Sequence, residues 1–369
     1  MSDALTNALT SVAIPEIRVL VIGCGNMGRS HAKAYHRIPG FQVCGLVARG
    51  DSKIAVDAEI GGGHALFEDW RVALKETKPD AVCIATYPDT HEAIAVAALA
   101  QGCHVFTEKP VAPSVASCER VIAAARAAKR QLVVGYILRH HPSWQVFIRE
   151  AQQLGRPLVM RMNLNQQSHG RMWDVHRSLM ASSSPIVDCG VHYVDVMCQM
   201  TGSKPLRVSA IGARLSEDLP PGMYNYGQLQ VVFADGSVGW YEAGWGPMMS
   251  TAAFFVKDVV GPKGSVTIEA GDKVEKTTSD DVGAHTATSA IRVHLGQIDK
   301  ANEFVHPDRL ISMADEPDHD GLCEREQAYF LRAIREGIDL NDHWAAARDS
   351  LAIVLAAEQS IRTGQVVAL

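Results

Sequence analysis

Hydrophobic positions fall into two rhythms along the chain. Up to about residue 136, short continuous apolar runs alternate with segments of helical spacing. The runs "IRVLVIG" (17–23), "FQVCGLVA" (41–48), "HALF" (64–67), "DAVCIAT" (80–86), "CHVFTE" (103–108) and "QLVVGYI" (131–137) predict strands. Between them, "NMGRSHAKAYHRI" (26–38), "DSKIAVDAEIGGG" (51–63), "EDWRVALKET" (68–77), the stretch from Pro88 to Gly102 and an Ala-rich segment read as helices. Pro88 suits a first helical turn. Continuous apolar strands need cover on both faces, so this part predicts a parallel sheet between helical layers.

Beyond Pro142 the rhythm changes. A helix at about 143–154 ends at Gly155, and longer strand segments follow at 156–166, 206–215 and 226–245. Asp235-Gly236, inside the last of these, is a strong hairpin signal. "AAFFVKDVVG" (252–261) and "GSVTIEA" (264–270) extend what reads as a mostly antiparallel sheet. Residues 271–320 are poor in pattern, and two helices, 323–337 and 343–364, close the chain.

Composition narrows the class. The chain has 369 residues, 47% hydrophobic and 21% charged, which fits two soluble domains. A net charge of −6 without any Lys/Arg run argues against a nucleic-acid partner. No apolar run approaches the ~18–20 residues that cross a bilayer, so no membrane partner is expected. Residues 1–16 read as a flexible leader, with no basic residue before Arg18 to suggest a secretory signal. Eight cysteines at irregular spacing, without C-x-x-C, predict free buried thiols in a cytoplasmic, reducing setting and argue against a metal site.

The first chemical signal is Gly23-Cys24-Gly25-Asn26-Met27-Gly28, which ends the first strand and opens the first helix. Gly23 permits a tight turn, Gly25 lets backbone approach a pyrophosphate, and Gly28 allows close helix–strand packing; the helix N-terminus faces the phosphates. The fold class is therefore α/β, with a dinucleotide-binding Rossmann domain at 17–138. An α+β substrate-binding and oligomerisation domain, built on an open, mostly antiparallel sheet, follows at 139–369. At the end of the second strand, Ala48 stands where an acid would bind ribose hydroxyls, and Arg49 follows, with Ser52 and Lys53 close by. The cofactor expected is NAD(P), leaning to NADP because an acid is missing and a cation is added; Asp51 leaves NAD open.

The second signal combines Glu108-Lys109-Pro110, at the carboxyl end of the fifth strand, with the segment Asp188-Cys189-Gly190-Val191-His192-Tyr193-Val194-Asp195. Read as one helix, Asp188 and His192 stand four residues apart on one face, so a carboxylate flanks an imidazole suited to general-base work. A capping aspartate with a core histidine is the plain alternative. Together with the glycine loop, "IATYPDTHEAIAVAALAQGCHVFTEKP", "GYILRHHPSW", "GPKGSV" and the final helices, these motifs resemble the Gfo/Idh/MocA oxidoreductases over nearly the whole chain.

That resemblance implies hydride transfer between a nicotinamide and a carbinol or carbonyl carbon of a sugar, cyclitol or glycoside. It implies that Lys109 contacts the reacting oxygen and the nicotinamide, that His192 acts as base and acid, and that Asp188 positions His192. It places Thr86, Tyr87, Pro88 and Glu108 beside the cofactor with Arg49 and the glycine loop, makes His91 either cofactor-adjacent or structural, and leaves Asp195 to touch substrate or brace its helix. Arg171 and Trp173 are candidate sugar contacts or parts of a surface loop, and Tyr241, Glu242 and Trp245 reach the site or pack an interface. Ser182-Ser183-Ser184 stand where relatives carry glycines. Two alternatives stay open: redox-assisted glycoside cleavage with a tightly held cofactor, and a non-catalytic NAD(P)-binding regulator. An uncovered face of the second sheet predicts a homodimer or homotetramer.

Overall fold

The computed structural model describes residues 15–250, 256–269 and 288–369. Nearly all of the expected leader and part of the pattern-poor stretch lie outside the described residues. The first unit is a six-stranded parallel sheet: β1 (Ile17–Ile22), β2 (Phe41–Val47), β3 (Leu66–Phe67), β4 (Ala81–Ile84), β5 (His104–Glu108) and β6 (Leu132–Gly135). Their order is β3-β2-β1-β4-β5-β6. The order reverses between β1 and β4, which opens a crevice at the carboxyl ends of these strands, where ligands bind such sheets. The helices α1 (Asn26–Arg37), α2 (Ser52–Glu59), α3 (Trp70–Thr77), α4 (Pro88–Ala100) and α5 (Val115–Ala128) connect the strands. All of β4 and most of β1, β2, β5 and β6 are buried, as continuous apolar strands require.

A 3₁₀ turn (Ile137–Arg139) and α6 (Pro142–Gln152) lead into the second unit. Its nine strands are β7 (Val159–Gln167), β8 (Pro205–Ala213), β9 (Tyr226–Phe233), β10 (Val238–Gly246), β11 (Lys257–Gly261), β12 (Gly264–Glu269), β13 (Ala290–Leu295), β14 (Arg309–Ser312) and β15 (Val367–Ala368). The order is β14-β13-β12-β11-β7-β10-β9-β8-β15, antiparallel except for the β7–β10 pair. The expected hairpin forms between β9 and β10, with Gly236 at φ +83°. On one face, side chains of β10 such as Tyr241 and Trp245 are buried. On the other, Val238, Val159 and Val260 stand side by side across three strands and remain exposed.

Three features depart from the sequence expectation. Residues 170–179, read as a polar stretch, form helix α7 (Gly170–Leu179), whose single fully buried side chain is His176; so little core contact leaves no clear apolar stripe. β13 and β14 lie within the pattern-poor 271–320, and β14 is an edge strand with no buried side chain to impose alternation. The helix after Pro185 is two pieces, α8 (Pro185–Asp188) and α9 (Gly190–Thr201), joined by a turn at Cys189. Ser184, in the serine triplet, caps α8 by accepting from the Val187 N–H at 3.2 Å and donates to Glu358.

The last two helices tie the units together. Helix α10 (His319–Glu336) packs on α1 of the first unit, where Phe330 stacks near Phe41 and Phe106 (centroids 6.2 and 6.0 Å). Helix α11 (Asn341–Thr363) packs on α9 and β8. All eight cysteines are free, six of them buried. Among the described residues no helix is long and apolar enough to cross a membrane.

Arg139, ending the 3₁₀ turn, meets Asp195 on α9 through two bonds of 2.8 and 2.5 Å, so Asp195 braces its helix. Asp195 is buried and also accepts from Gln199 at 2.8 Å. Replacing Asp195 by Ala strands a buried guanidinium and should lower the unfolding free energy by about 3 kcal/mol, whereas Arg139→Met/Asp195→Leu should recover most of it. Urea unfolding of the three proteins checks this.

Candidate active site

The glycine loop shapes a cradle between β1 and α1. Gly23 sits at φ +95°, and a Cβ there would lie 2.3 Å from the Ala85 carbonyl oxygen. A Cβ on Gly28 would strike the Gly23 carbonyl at 1.8 Å, so helix and strand approach this closely only because residue 28 is glycine, while Gly23 makes room for the loop at Ala85. Gly25 differs: a Cβ there would meet nothing within 4 Å. It opens α1, whose first turn has no side-chain cap and no acidic residue. Free N–H groups of Asn26, Met27 and Gly28 beside open space fit a dinucleotide pyrophosphate.

At the end of β2, Arg49 is exposed and makes no ion pair with a described residue. Lys53 is not available in the same way: its buried ammonium donates to the carbonyls of Ala48 (3.0 Å) and Gly50 (2.9 Å) and so shapes the loop. Across the crevice, Tyr87 is 57% exposed ahead of Pro88, and the Thr86 hydroxyl lies 2.7 Å from that of Thr90. His91, expected to be either cofactor-adjacent or structural, is fully enclosed. Its two ring nitrogens lie 3.0 Å from the carbonyls of Thr86 and Pro110, so it joins the β4 loop to the β5 loop.

Glu108 also departs from the expectation of cofactor contact. Its carboxylate turns inward, 2.7 Å from His31 Nε2, and accepts the Lys109 backbone N–H at 3.2 Å. The bond to His31 and the Lys109 charge outweigh the effect of burial and hold Glu108 below its ordinary pKa. Behind it, Tyr35 donates to Gln327 Oε1 (2.6 Å), and Gln327 Nε2 lies 3.0 Å from His31 Nδ1. With Gln327 donating, His31 carries its proton on Nε2 and gives it to Glu108. Glu326 completes this group, its ligand atom within 4.8 Å of those of His31 and Glu108. Burial and the Glu108 charge push Glu326 well above the carboxylate range, so it stays neutral. Nothing in the sequence pattern singled out these α10 partners, which lie about 200 residues beyond Glu108.

Lys109 leaves β5 through a cis peptide to Pro110. Its ammonium donates to the Asp188 backbone carbonyl at 3.0 Å and to Oδ1 at 3.2 Å. Burial works against its charge, but Asp188 and Glu108 raise its pKa above the ordinary lysine value. The Asp188 carboxylate therefore holds Lys109 and makes no hydrogen bond to His192; the turn at Cys189 places the two residues on different helical pieces. His192 stands edge-on to Tyr136 (6.1 Å, 85°), and its Nδ1 has no partner among the described residues. Burial, then the Lys109 charge, push its pKa down to about 3. At neutral pH the site holds a cationic lysine beside a neutral imidazole, a pair that can accept a hydroxyl proton and stabilise the oxygen left behind.

The inner wall is polar in specific places. Tyr241 and Trp245 face inward; the Tyr241 hydroxyl is buried without a partner among the described residues, and the Trp245 side chain lies beside the Cys189 thiol. Trp245 stacks on His176 at 4.4 Å and pairs in register with Gln166, which the sequence did not flag; its Oε1 lies 4.0 Å from Cys189 Sγ. Glu242 lies on the opposite face, where it accepts from Asn165. Arg171 is exposed on α7, and Trp173 is half-buried beneath the Arg177 guanidinium (6.0 Å).

Residues 17–136 match a family model described as an oxidoreductase family with an NAD-binding Rossmann fold, GFO_IDH_MocA, and residues 148–267 match a GFO/IDH/MocA C-terminal domain. The chain is 34% identical over 220 residues to inositol 2-dehydrogenase 4 of Saccharopolyspora erythraea, covering 56% of this chain and 61% of that one. It is 30% identical over 203 residues to UDP-N-acetylglucosamine 3-dehydrogenase of Acidithiobacillus ferrooxidans, covering 55% and 60%. The chain thus spans about three-fifths of the length of these curated relatives. The crystal structure of GenD2, from gentamicin A biosynthesis, in complex with NAD shares the fold (TM-score 0.75, 20% identity, 97% and 98% of the two chains).

The His192 pKa lies below the ordinary 6.5, so the unfolded chain binds a proton that the folded ring does not. This ring's contribution therefore lowers stability as pH falls from about 6.5 towards 3. Lys109→Met removes the like charge and should raise the His192 pKa, while His192 in the unmutated protein should stay neutral at pH 5. Imidazole chemical shifts followed against pH by NMR check both.

Proposed function

The chain belongs to the GFO/IDH/MocA oxidoreductase family, and from that premise we propose that it is a nicotinamide-dependent dehydrogenase or reductase acting on a CH–OH carbon of a cyclitol, sugar or glycoside. The observation that carries this reading is the convergence of Lys109, Asp188 and His192 beside the crevice of the first sheet. A bound nicotinamide supplies the hydride acceptor or donor. His192, neutral at its working pH, takes the substrate hydroxyl proton in oxidation and returns it in reduction. The Lys109 ammonium stabilises negative charge developing on the same oxygen, and Asp188 keeps that ammonium in place. Gln166, Tyr241 and Trp245 offer polar atoms on apolar bodies, a wall suited to a hydroxyl-rich ring.

Lys109→Ala and His192→Ala should each lower kcat/KM on the best polyol or sugar substrate by about 10²–10⁴-fold. Near-wild-type turnover by both folded variants excludes these roles.

For the cofactor we propose a preference for NADP. Ala48 offers no carboxylate to the ribose, and Arg49, exposed at the end of β2 and without an ion pair to a described residue, offers a cation to a 2′-phosphate. Arg49→Gln should weaken NADPH binding about tenfold and leave NADH nearly unchanged. Paired fluorescence titrations test this; equal effects on the two cofactors overturn it.

A further inference from the structure

Away from the crevice, a cavity of about 570 Å³ opens between the turn after β6 and helices α6, α9, α10 and α11. Its wall includes Arg139, His140, Arg325, Tyr329, Arg332 and His343, and no aspartate or glutamate lines it. We propose that this cavity binds a multivalent oxyanion carried by a small molecule, a phosphate ester or polyphosphate, at a site separate from the dinucleotide.

The lining carries the argument. Arg139 is already committed to Asp195. Arg325 and Arg332 are not: they stand seven residues, two turns, apart on α10, and neither makes an ion pair with a described residue. Arg332 lies over the ring of Tyr329 at 5.4 Å, and the His140 ring packs against the same ring, tilted, at 5.0 Å. His140 Nε2 is buried there without a partner among the described residues. Burial, then the charges of Arg139 and Arg332, push His140 down to about 4. Burial and Arg325 do the same to the adjacent His141. Positive ends thus converge on one place, in a protein whose net charge is −6.

Two free guanidiniums make a fork for phosphate oxygens, and His140 Nε2 can add a third donor. A bound anion would reverse the repulsion that keeps His140 neutral. The volume falls in the range of small-molecule sites and exceeds what a lone phosphate fills, so the ligand has a body as well as its charge. Tyr329 supplies a ring face for that body. None of the cavity's lining residues belongs to the glycine loop or to the Lys109–Asp188–His192 group.

The test uses the full chain with its nicotinamide site saturated, titrated calorimetrically at low salt with inorganic phosphate, pyrophosphate and glucose 6-phosphate. One saturable site per chain is expected for at least one probe. Tighter pyrophosphate binding points to a polyphosphate, and tighter glucose 6-phosphate binding to a sugar ester. Arg325→Gln/Arg332→Gln should weaken binding at least tenfold while keeping the fold by circular dichroism and the dehydrogenase turnover. Arg49→Gln should leave binding unchanged. No saturable binding of any probe, or binding lost in Arg49→Gln but kept in the double variant, overturns the proposal.

Discussion

The contact between the Lys109 ammonium and Asp188 is the constraint on which the site depends. Lys109 belongs to the end of the parallel sheet and Asp188 to the helical turn above the second sheet. One cation bonded to both a carbonyl and a carboxylate of the same residue sets how far apart the two units stand at the crevice. Together with burial, the same charge suppresses protonation of His192, so it acts on the neighbouring imidazole as well as on the architecture. A lysine in this place needs a strong counter-charge, since burial alone favours its neutral form.

Support for that lysine comes from behind the sheet. Tyr35, Gln327, His31 and Glu108 form a chain in which each donor finds one acceptor, and Glu108 passes the order on to the Lys109 backbone N–H. This arrangement also accounts for the His31–Glu108–Glu326 group without a cation. His31 gives its proton to Glu108, and Glu326 remains an uncharged acid. His91 performs a similar service in front, where one imidazole spans the two loops that flank the crevice.

Most of the first unit was legible in the sequence because its signals are local. Apolar runs, Pro88 at a helix start and the close approach of Gly28 to Gly23 each answer to a backbone requirement within a few residues. Glu108-Lys109-Pro110 and the 188–195 segment were likewise visible as candidates. What pattern could not supply was direction. The i,i+4 spacing of Asp188 and His192 suggested a pair, yet the turn at Cys189 gave the carboxylate to Lys109. Arg139, Gln166 and Gln327 act through partners tens to hundreds of residues away, and nothing near them in the chain announces it. Helix α7 and strand β14 bury too little to leave a periodic trace.

The packing of α10 on α1 has a consequence in time. Phe41 and Phe106 are finished by Phe330, a residue made roughly 200 positions after Phe106. At a synthesis rate of about 5–20 residues per second, the first unit waits roughly 10–40 s on the ribosome with that aromatic patch uncovered. During that interval the nascent chain is a sheet with a cofactor cradle but no lid over its flank. Its fate in the cell is therefore set as much by what shields this patch in the meantime as by the stability of the finished molecule.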